Sequence, residues 1–145
     1  MDFYKKSIEI RWSDLDPLQH VRHSAYYDWG AYIRMHILRE LGLTPELFAK
    51  YAIGPIIFRE ECLFQRVVRF KDSITIEVAL QKARADYSRW TMYHRVIKND
   101  EIQAAIITVD GAWLDMKTRK LTAPPPEYSA GMKGFPLTDD FTWQE

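Results

Sequence analysis

The segment at residues 10–42 constrains the fold more than any other part of the chain. It reads IRWSDLDPLQHVRHSAYYDWGAYIRMHILRELG, which begins as a strand, breaks at a polar loop and continues as a helical pattern. The apolar residues of its second half recur at the three- and four-residue spacing of one helix face; they are Tyr26, Trp29, Gly30, Ile33, Ile37 and Leu41. Gly42 follows them and suits the left-handed residue that commonly ends a helix. The pattern therefore predicts one long helix that begins near Ser24.

The polar loop before this helix carries two aspartates and two histidines. Pro17 biases Asp16 toward an extended backbone, and Asp14 is a typical turn former. The loop delivers Asp16, His20 and His23 to the N-terminus of the helix, where backbone N–H groups lack partners and the partial charge is positive. We therefore expect the chemistry of the protein at this point, with the helix dipole favouring an ionised Asp16.

The rest of the chain shows mainly the pattern of strands. Thr44, Pro45 and Glu46 first give the start signal of a short helix that ends near Tyr51. Asn99 and Asp100 make a plausible hairpin turn. Alternating or continuous apolar runs then predict the strands, which cover residues 4–12, 56–70, 74–80, 88–97 and 102–116.

This order of elements predicts an α+β domain. An antiparallel sheet has one apolar face that needs cover, and the long helix is the only element large enough to cover it. We expect the folded domain at residues 1–128 and an extended surface tail at residues 129–145. The stretch from Ala123 onward holds four of the seven prolines and has little periodicity, with Phe135, Phe141 and Trp143 as possible anchors.

Composition narrows the classes of function. The 145 residues suit one domain, and 47% hydrophobic content indicates a packed core. Twenty basic and twenty acidic residues balance, so no global charge points to nucleic acid or to a membrane. The single cysteine, Cys62, excludes an intrachain disulfide and is expected to be buried. No signal-peptide or membrane-spanning pattern is found, so we expect a cytoplasmic protein.

The loop and helix resemble the hotdog-fold acyl-CoA thioesterases of the 4-hydroxybenzoyl-CoA thioesterase family. The resemblance rests on Asp14-x-Asp16-Pro17, on His20-Val21 and His23, and on Tyr26 at the start of the helix. It implies a five-stranded antiparallel sheet wrapped around one long central helix. It also implies hydrolysis of an acyl-CoA to free acid and CoA, with Asp16 as the catalytic carboxylate. The segment around His20, Val21 and His23 combines features of two subgroups of this family, so the identity of the acyl group stays open.

The chemistry of a thioester agrees with this resemblance. A thiol with a pKa of about 8.5 leaves readily, so one carboxylate is enough without a strong general acid. Asp16 would either activate a water or attack the carbonyl itself. Backbone N–H groups around His23 and Ser24 would stabilise the oxyanion.

The neighbouring polar side chains have structural alternatives. His23 either orients the thioester or a water, or donates to a backbone carbonyl. His20 is a packing or loop-ordering residue or a substrate contact, and Tyr26 packs first with its hydroxyl near the substrate. Asp14, beside a turn, is expected to be structural. These aspartates and histidines also suit zinc or iron, but the resemblance implies hydrolysis without metal or cofactor, with coenzyme A only as part of the substrate.

Coenzyme A requires cations for its phosphates, and basic residues outnumber acidic ones between residues 59 and 98. Arg84 and Arg89 flank a predicted bend, near where related enzymes carry basic phosphate contacts, and Ser88 is a weaker candidate for lining the substrate path. An ordinary solvated sheet edge is an equal alternative for the two arginines.

The resemblance also implies partners and rival functions. Sheet edges need cover, and family members pair their sheets, so we expect a homodimer or a homotetramer built as a dimer of dimers, with sites at the subunit boundary.

One rival function is that of a non-hydrolytic acyl-thioester binding protein on the same fold. A dehydratase is disfavoured, because the helix offers only Asp28, on the face away from the sheet. A pure interaction domain is the last alternative.

Overall fold

A computed structural model describes residues 2–145, which form three helices and seven strands. The helices are α1 (His23–Glu40), α2 (Pro45–Tyr51) and α3 (Pro126–Met132). The strands are β1 (Tyr4–Ile8), β2 (Ile53–Phe64), β3 (Ile74–Arg84), β4 (Arg89–Lys98), β5 (Ile102–Asp115), β6 (Lys120–Leu121) and β7 (Leu137–Gln144). None of the helices within residues 2–145 has both the length and the apolar character needed to cross a bilayer.

Five strands form the antiparallel sheet that the sequence predicts. Their order is β1-β3-β4-β5-β2, with β6 added to β5 and β7 added to β3. Asn99 and Asp100 make the predicted hairpin turn between β4 and β5, and both have positive φ angles, 54° and 68°. A turn with this twist matches the natural twist of two antiparallel strands. The sheet therefore follows a simple path set by short connections, with β2 at one edge.

The long helix α1 packs its apolar stripe against the inner face of this sheet. Ala25 and Ile33 are completely buried, and Ile37 is 2% exposed. The inner face of the sheet supplies the facing layer of side chains, from Ile76, Val78, Leu80, Met92, Ile107 and Val109. Gly42 ends the helix with a φ of 80°, as its position predicts. This helix-on-sheet core is the expected hotdog arrangement.

A buried polar cluster lies inside this core. Arg34 on α1 donates from Nη2 to Glu60 Oε2 on β2 at 3.2 Å, and its Nη1 lies 3.1 Å from His94 Nε2 on β4. His94 is completely buried, and its Nδ1 lies 2.9 Å from the carbonyl oxygen of Ile107. Burial, followed by the positive charge of Arg34, lowers the pKa of His94 to about 3. His94 is therefore neutral, with Nδ1–H donating to Ile107 and Nε2 accepting from Arg34.

The strand ends differ from the predicted ones for local reasons. β1 ends at Ile8, because Trp12–Asp14 forms a 3₁₀ turn in place of the predicted strand end. β2 ends at Phe64, because the N–H groups of both Gln65 and Arg66 donate to the carbonyl of Ala104 and leave the ladder. Residues 65–70, predicted as strand, therefore form a connection that reaches the loop before α1.

The composition predicts an extended surface tail after Ala123, but the chain there forms further secondary structure. It contains α3 and then β7, which pairs in parallel with β3. β1 pairs with β3 only from Ile74 to Val78, so the second half of β3 is open for β7 on the same edge. Tyr128 anchors the segment, because its hydroxyl donates to the carbonyl of Ile53 at 2.8 Å. Of the possible anchors, Phe135 is buried and Trp143 is 57% exposed.

Candidate active site

The loop before α1 is a short hairpin that fixes Asp16. Leu15 and Val21 form an antiparallel bridge, and Asp16 N donates to the carbonyl of His20 at 2.7 Å. Asp16 Oδ1 accepts two backbone N–H groups, from Leu18 at 2.9 Å and from His20 at 3.0 Å. Oδ2 accepts no hydrogen bond within residues 2–145, and the side chain is half-buried. One carboxylate oxygen is thus held by the loop, and the other is available.

Asp14 has the opposite environment, although it belongs to the same motif. Its carboxylate is 1% exposed and accepts hydrogen bonds from the backbone and the side chain of Arg11. Arg22 Nη2 lies 3.6 Å from Asp14 Oδ1. Burial alone would raise the pKa of Asp14, but the hydrogen bonds and charges of Arg11 and Arg22 outweigh it and hold the pKa below its usual value. Asp14 is therefore a paired structural carboxylate, as expected from its turn position.

A cavity of about 330 Å³ is lined in part by Asp16. Asp16, His20, His23 and Tyr26 line it from the loop and the start of α1, together with Val21, and residues 64–68 form the other side. The structure thus brings together four of the residues singled out in the sequence. The sequence suggests Phe64 as a possible pocket residue, but residues 65–68 of this wall were not assigned to the site, because they read as part of a continuous strand.

The N-terminus of α1 presents unpaired backbone donors beside this cavity. His23 is the first helical residue, and the side chain of the preceding Arg22 makes no capping hydrogen bond. Among residues 2–145, the N–H groups of His23 and Ser24 have no hydrogen-bond acceptor. Arg22 instead donates from Nε to the carbonyl of Ser13 and from Nη1 to Ser24 Oγ, which ties the loop to the helix. Two donors are therefore free at a helix end of positive partial charge.

Tyr26 is a packing residue at the base of the cavity. It is 3% exposed, and its ring lies 5.0 Å from the ring of Phe64 in an edge-on arrangement. Burial, followed by the charges of Cys62 and Asp72, raises the pKa of Tyr26 to about 12. Cys62 lies in the same core cluster as Tyr26 and is buried, as predicted. Its burial, and to a smaller extent the charge of Glu60, raises the pKa of its thiol to about 12. Both groups are therefore protonated near neutral pH.

Of the remaining predicted residues, Ser24 lines neither cavity and its hydroxyl accepts from Arg22, whereas the other three line a different cavity. Arg84, Ser88 and Arg89 surround a space of about 300 Å³ at the β3–β4 bend, together with Asp86. Arg84 Nε donates to the backbone oxygen of Glu145 at 3.0 Å, and the Arg89 guanidinium lies 4.8 Å from the centre of the Phe58 ring.

This second cavity lies at the opposite end of the sheet. Arg89 pairs with Ala112 on β5, whereas Phe64 of the first cavity pairs with Ala105. Ala105 and Ala112 are roughly 23 Å apart at the usual rise of a strand. One subunit therefore does not bring Arg84, Ser88 and Arg89 into the cavity of Asp16.

Two further observations limit the chemistry. No group of three or more His, Cys, Asp and Glu side chains in residues 2–145 is arranged to hold a metal ion. Asp28, the carboxylate considered for a dehydratase, is 64% exposed and lies 3.8 Å from Arg22. It does not line the cavity of Asp16.

Solved structures with the same fold include named thioesterases. The chain superposes on SAV2348 from Staphylococcus aureus, solved in complex with CoA, with a TM-score of 0.84 and 18% identity over 99% of this chain and 90% of that one. DHNA-CoA thioesterase from Staphylococcus aureus matches with a TM-score of 0.81 and 14% identity over 92% and 90%. BH1999 gentisyl-coenzyme A thioesterase matches with a TM-score of 0.74 and 20% identity over 90% and 99%. These likenesses establish the hotdog fold.

Sequence comparison gives the family. Comparison with curated proteins finds no match. The profile of the Thioesterase-like superfamily matches residues 10–132, which include the loop, α1 and the long strands. Because this match covers most of the sequence, the chain belongs to the Thioesterase-like superfamily.

Proposed function

We propose that this protein is a thioesterase that hydrolyses an acyl-CoA to the free acid and CoA. The observation that carries the proposal is the cavity that Asp16 shares with the start of α1. Asp16, which has one carboxylate oxygen without a hydrogen bond in residues 2–145, and His23, the first residue of α1, both line it. Membership of the Thioesterase-like superfamily supports thioester hydrolysis in general. The Asp14-x-Asp16-Pro17 motif supports a 4-hydroxybenzoyl-CoA thioesterase type in particular.

Asp16 is the proposed catalytic carboxylate. As a general base it takes a proton from a water whose oxygen attacks the carbonyl carbon. As a nucleophile it attacks the carbon itself and forms an anhydride, which water then hydrolyses. In both routes the carbonyl oxygen becomes an oxyanion, the C–S bond breaks, and the sulfur leaves as a thiolate. The N–H groups of His23 and Ser24 would stabilise the oxyanion.

The other residues of the cavity have supporting roles in this proposal. The imidazoles of His20 and His23 make no hydrogen bond within residues 2–145, so both are free to contact a substrate. His23 is exposed at the start of α1 and is proposed to orient the thioester or the attacking water for Asp16. His20 lines the same cavity and is half-buried. Tyr26, with Phe64, forms an aromatic surface for the acyl group.

Coenzyme A as the carrier is supported by two of the structural neighbours. SAV2348 is described in complex with CoA, and BH1999 is described as a gentisyl-coenzyme A thioesterase. No charge or cavity feature of this chain distinguishes an aliphatic from an aromatic acyl group, so the test must include both.

A thiol-release assay tests the proposal directly. The protein is mixed with a panel of aliphatic and aromatic acyl-CoAs, and free CoA is measured with a thiol reagent. Release of CoA at catalytic rates for at least one ester is the expected result. The rival on this fold is an acyl-thioester binding protein. Binding of the panel, measured by calorimetry, without thiol release would favour that rival and overturn the hydrolase.

A homodimer formed through β2 is the proposed assembly. β2 is an edge strand with exposed apolar side chains in its middle and at its C-terminal end, and exposed edges of this kind favour pairing with another strand. The exposed fractions are 46% for Ile57, 49% for Phe58, 51% for Leu63 and 51% for Phe64. Antiparallel pairing about a two-fold axis would bring the cavity of Asp16 in one subunit near the cavity of Arg84, Ser88 and Arg89 in the other. This arrangement would put substrate-binding residues at the subunit boundary.

Replacing Leu63 by lysine should weaken this dimer. A charge at an apolar position of a paired edge costs desolvation, so we expect the dimer dissociation constant to rise about tenfold or more. Sedimentation analysis over a range of concentrations measures it. Leu137→Lys on β7 is the matched control, because Leu137 is similarly exposed, at 48%, but lies at the opposite edge of the sheet from β2. Equal effects of the two changes, or no effect of Leu63→Lys, would exclude pairing through β2.

A further inference from the structure

The connection between β2 and β3 carries three cations that the proposed function has not used. We propose that Arg66, Arg69 and Lys71 bind the phosphate of the phosphopantetheine arm that carries the acyl group. This arm is shared by coenzyme A and by acyl carrier proteins, and the inference rests on the proposed thioesterase function. We call these three residues the cation row.

The cation row is electrostatically unsatisfied. None of its three side chains has a carboxylate within 4.0 Å among residues 2–145, and all three residues are exposed. Nearby cations outside the row are paired, since Arg11 and Arg22 contact Asp14. The row therefore has no direct ion pair with the described part of the chain and carries a net positive charge, which the charge of Asp72 near Lys71 offsets only in part. Such a surface is favourable for an anionic ligand.

The acid closest to the row in sequence is already engaged. Asp72 Oδ2 accepts the backbone N–H of Arg69 at 2.9 Å and lies 3.8 Å from Lys98 Nζ. Its Oδ1 accepts from Asn99 Nδ2 at 3.1 Å. Both oxygens of Asp72 thus serve to hold the turn, and neither forms an ion pair with the row.

The row is held at a fixed position relative to Asp16. Val21 N, in the loop before α1, donates to the carbonyl of Val68 at 2.8 Å, and His20 forms an antiparallel bridge with Arg69. Lys98 Nζ also donates to the carbonyl of Val67 at 2.7 Å. Backbone contacts to the proposed catalytic loop therefore anchor the segment that carries the cations.

The order of the row matches a substrate that enters with its acyl group first. Arg66 lines the cavity of Asp16, Arg69 lies opposite His20 outside that lining, and Lys71 follows two residues later. The positive charges thus continue from the cavity wall toward the surface. Exposed apolar side chains alternate with them, with Val67 44% and Phe70 54% exposed. A long arm with a phosphate far from its thioester fits such a surface.

The cavity at the β3–β4 bend is the competing phosphate site. It includes Asp86 beside Arg84 and Arg89. It would also require a second subunit or a long reach to serve Asp16. The cation row lies in the same chain as Asp16, and the acid that follows it, Asp72, is engaged by the backbone of Arg69 and by Asn99 and Lys98. This arrangement favours the row as the first phosphate contact.

The test compares carriers with and without phosphate. The triple variant Arg66→Gln, Arg69→Gln, Lys71→Gln keeps side chains of similar polarity and removes only the charges. It is assayed with one acyl group on CoA, on 4′-phosphopantetheine and on pantetheine. We expect KM to rise about tenfold or more for the two phosphorylated carriers, with kcat unchanged, and KM for the pantetheine ester to stay the same. The triple variant Lys117→Gln, Lys120→Gln, Lys133→Gln is the matched control, because it removes three exposed cations that have no ion pair within residues 2–145 and do not line the cavity of Asp16. It should leave KM unchanged for all three carriers.

Two further outcomes separate the possible carriers and the possible failures. A larger KM effect on an acyl carrier protein ester than on the CoA ester would identify the protein-bound arm as the source of the phosphate. An unchanged KM for acyl-CoA, or an equal rise for the pantetheine ester, would overturn the cation row. If the wild-type protein hydrolyses no ester at all, the proposed function fails. The row is then tested by calorimetric binding of CoA to the wild type and the triple variant, where equal affinity overturns it.

Discussion

Replacement of Asp16 by asparagine should lower kcat for thioester hydrolysis by about 10²- to 10⁴-fold without unfolding the protein. Removal of a general base or nucleophile costs rates of this order. The fold should survive, because an asparagine Oδ1 can still accept the N–H groups of Leu18 and His20 that the carboxylate holds. The change therefore affects mainly the oxygen that makes no hydrogen bond within residues 2–145. Thiol release under saturating substrate measures it.

Asp14→Asn provides the matched control within the same motif. Its carboxylate is buried between Arg11 and Arg22, so loss of the charge should reduce the free energy of unfolding. Turnover per folded molecule should change far less than in Asp16→Asn, because Asp14 does not line the cavity. Thermal unfolding and thiol release together distinguish the two effects. Equal rates for wild type and Asp16→Asn would remove Asp16 from the mechanism.

Acid should destabilise this protein through His94 well above the pH at which carboxylates titrate. The ordinary pKa of histidine, 6.5, applies to the unfolded chain, whereas burial and Arg34 lower the pKa in the folded chain to about 3. Below pH 6.5 the unfolded chain binds a proton that the folded chain does not. The stability that neutral His94 contributes is therefore complete above pH 6.5 and is lost as the pH falls toward 3. The expected slope is about 1.4 kcal/mol per pH unit.

The variant His94→Gln isolates this effect from that of other groups. A glutamine oxygen can still accept from Arg34, but the donor to the carbonyl of Ile107 is lost, so the variant should be less stable than wild type at pH 7 by about 1–2 kcal/mol. Because glutamine does not titrate, the stability difference should shrink as the pH falls below 6.5. Urea unfolding at several pH values measures it. Parallel pH curves for the two proteins would contradict a neutral buried His94.

Local sequence signals predicted the elements that frame the candidate site. The helix, its end at Gly42, the short helix capped by Thr44 and the hairpin at residues 99–100 follow from spacing and from turn residues. Thr44 Oγ1 accepts from the N–H of Leu47 at 3.2 Å, as a helix cap should. Such signals act between residues a few positions apart, so the sequence alone contains them.

The candidate site was predictable only in part. Asp16, His20, His23 and Tyr26 lie within one continuous segment, and the start of the helix brings them to one cavity. The opposite wall at residues 64–68 comes from the end of β2, and it reaches the cavity because Gln65 and Arg66 leave the ladder. A long apolar run gives no local signal of where its pairing stops, so the sequence did not reveal this wall.

Sequence by itself determined the helix, the strand order along the chain and the motif around Asp16, because each depends on near neighbours. Tertiary structure decided the cluster of Arg34, Glu60 and His94, the separation of Arg84 from Asp16, and the parallel pairing of β7 with β3. These features join residues far apart in the chain. Their contacts depend on sheet register and on which edge stays open, and no periodicity within a single segment reports either.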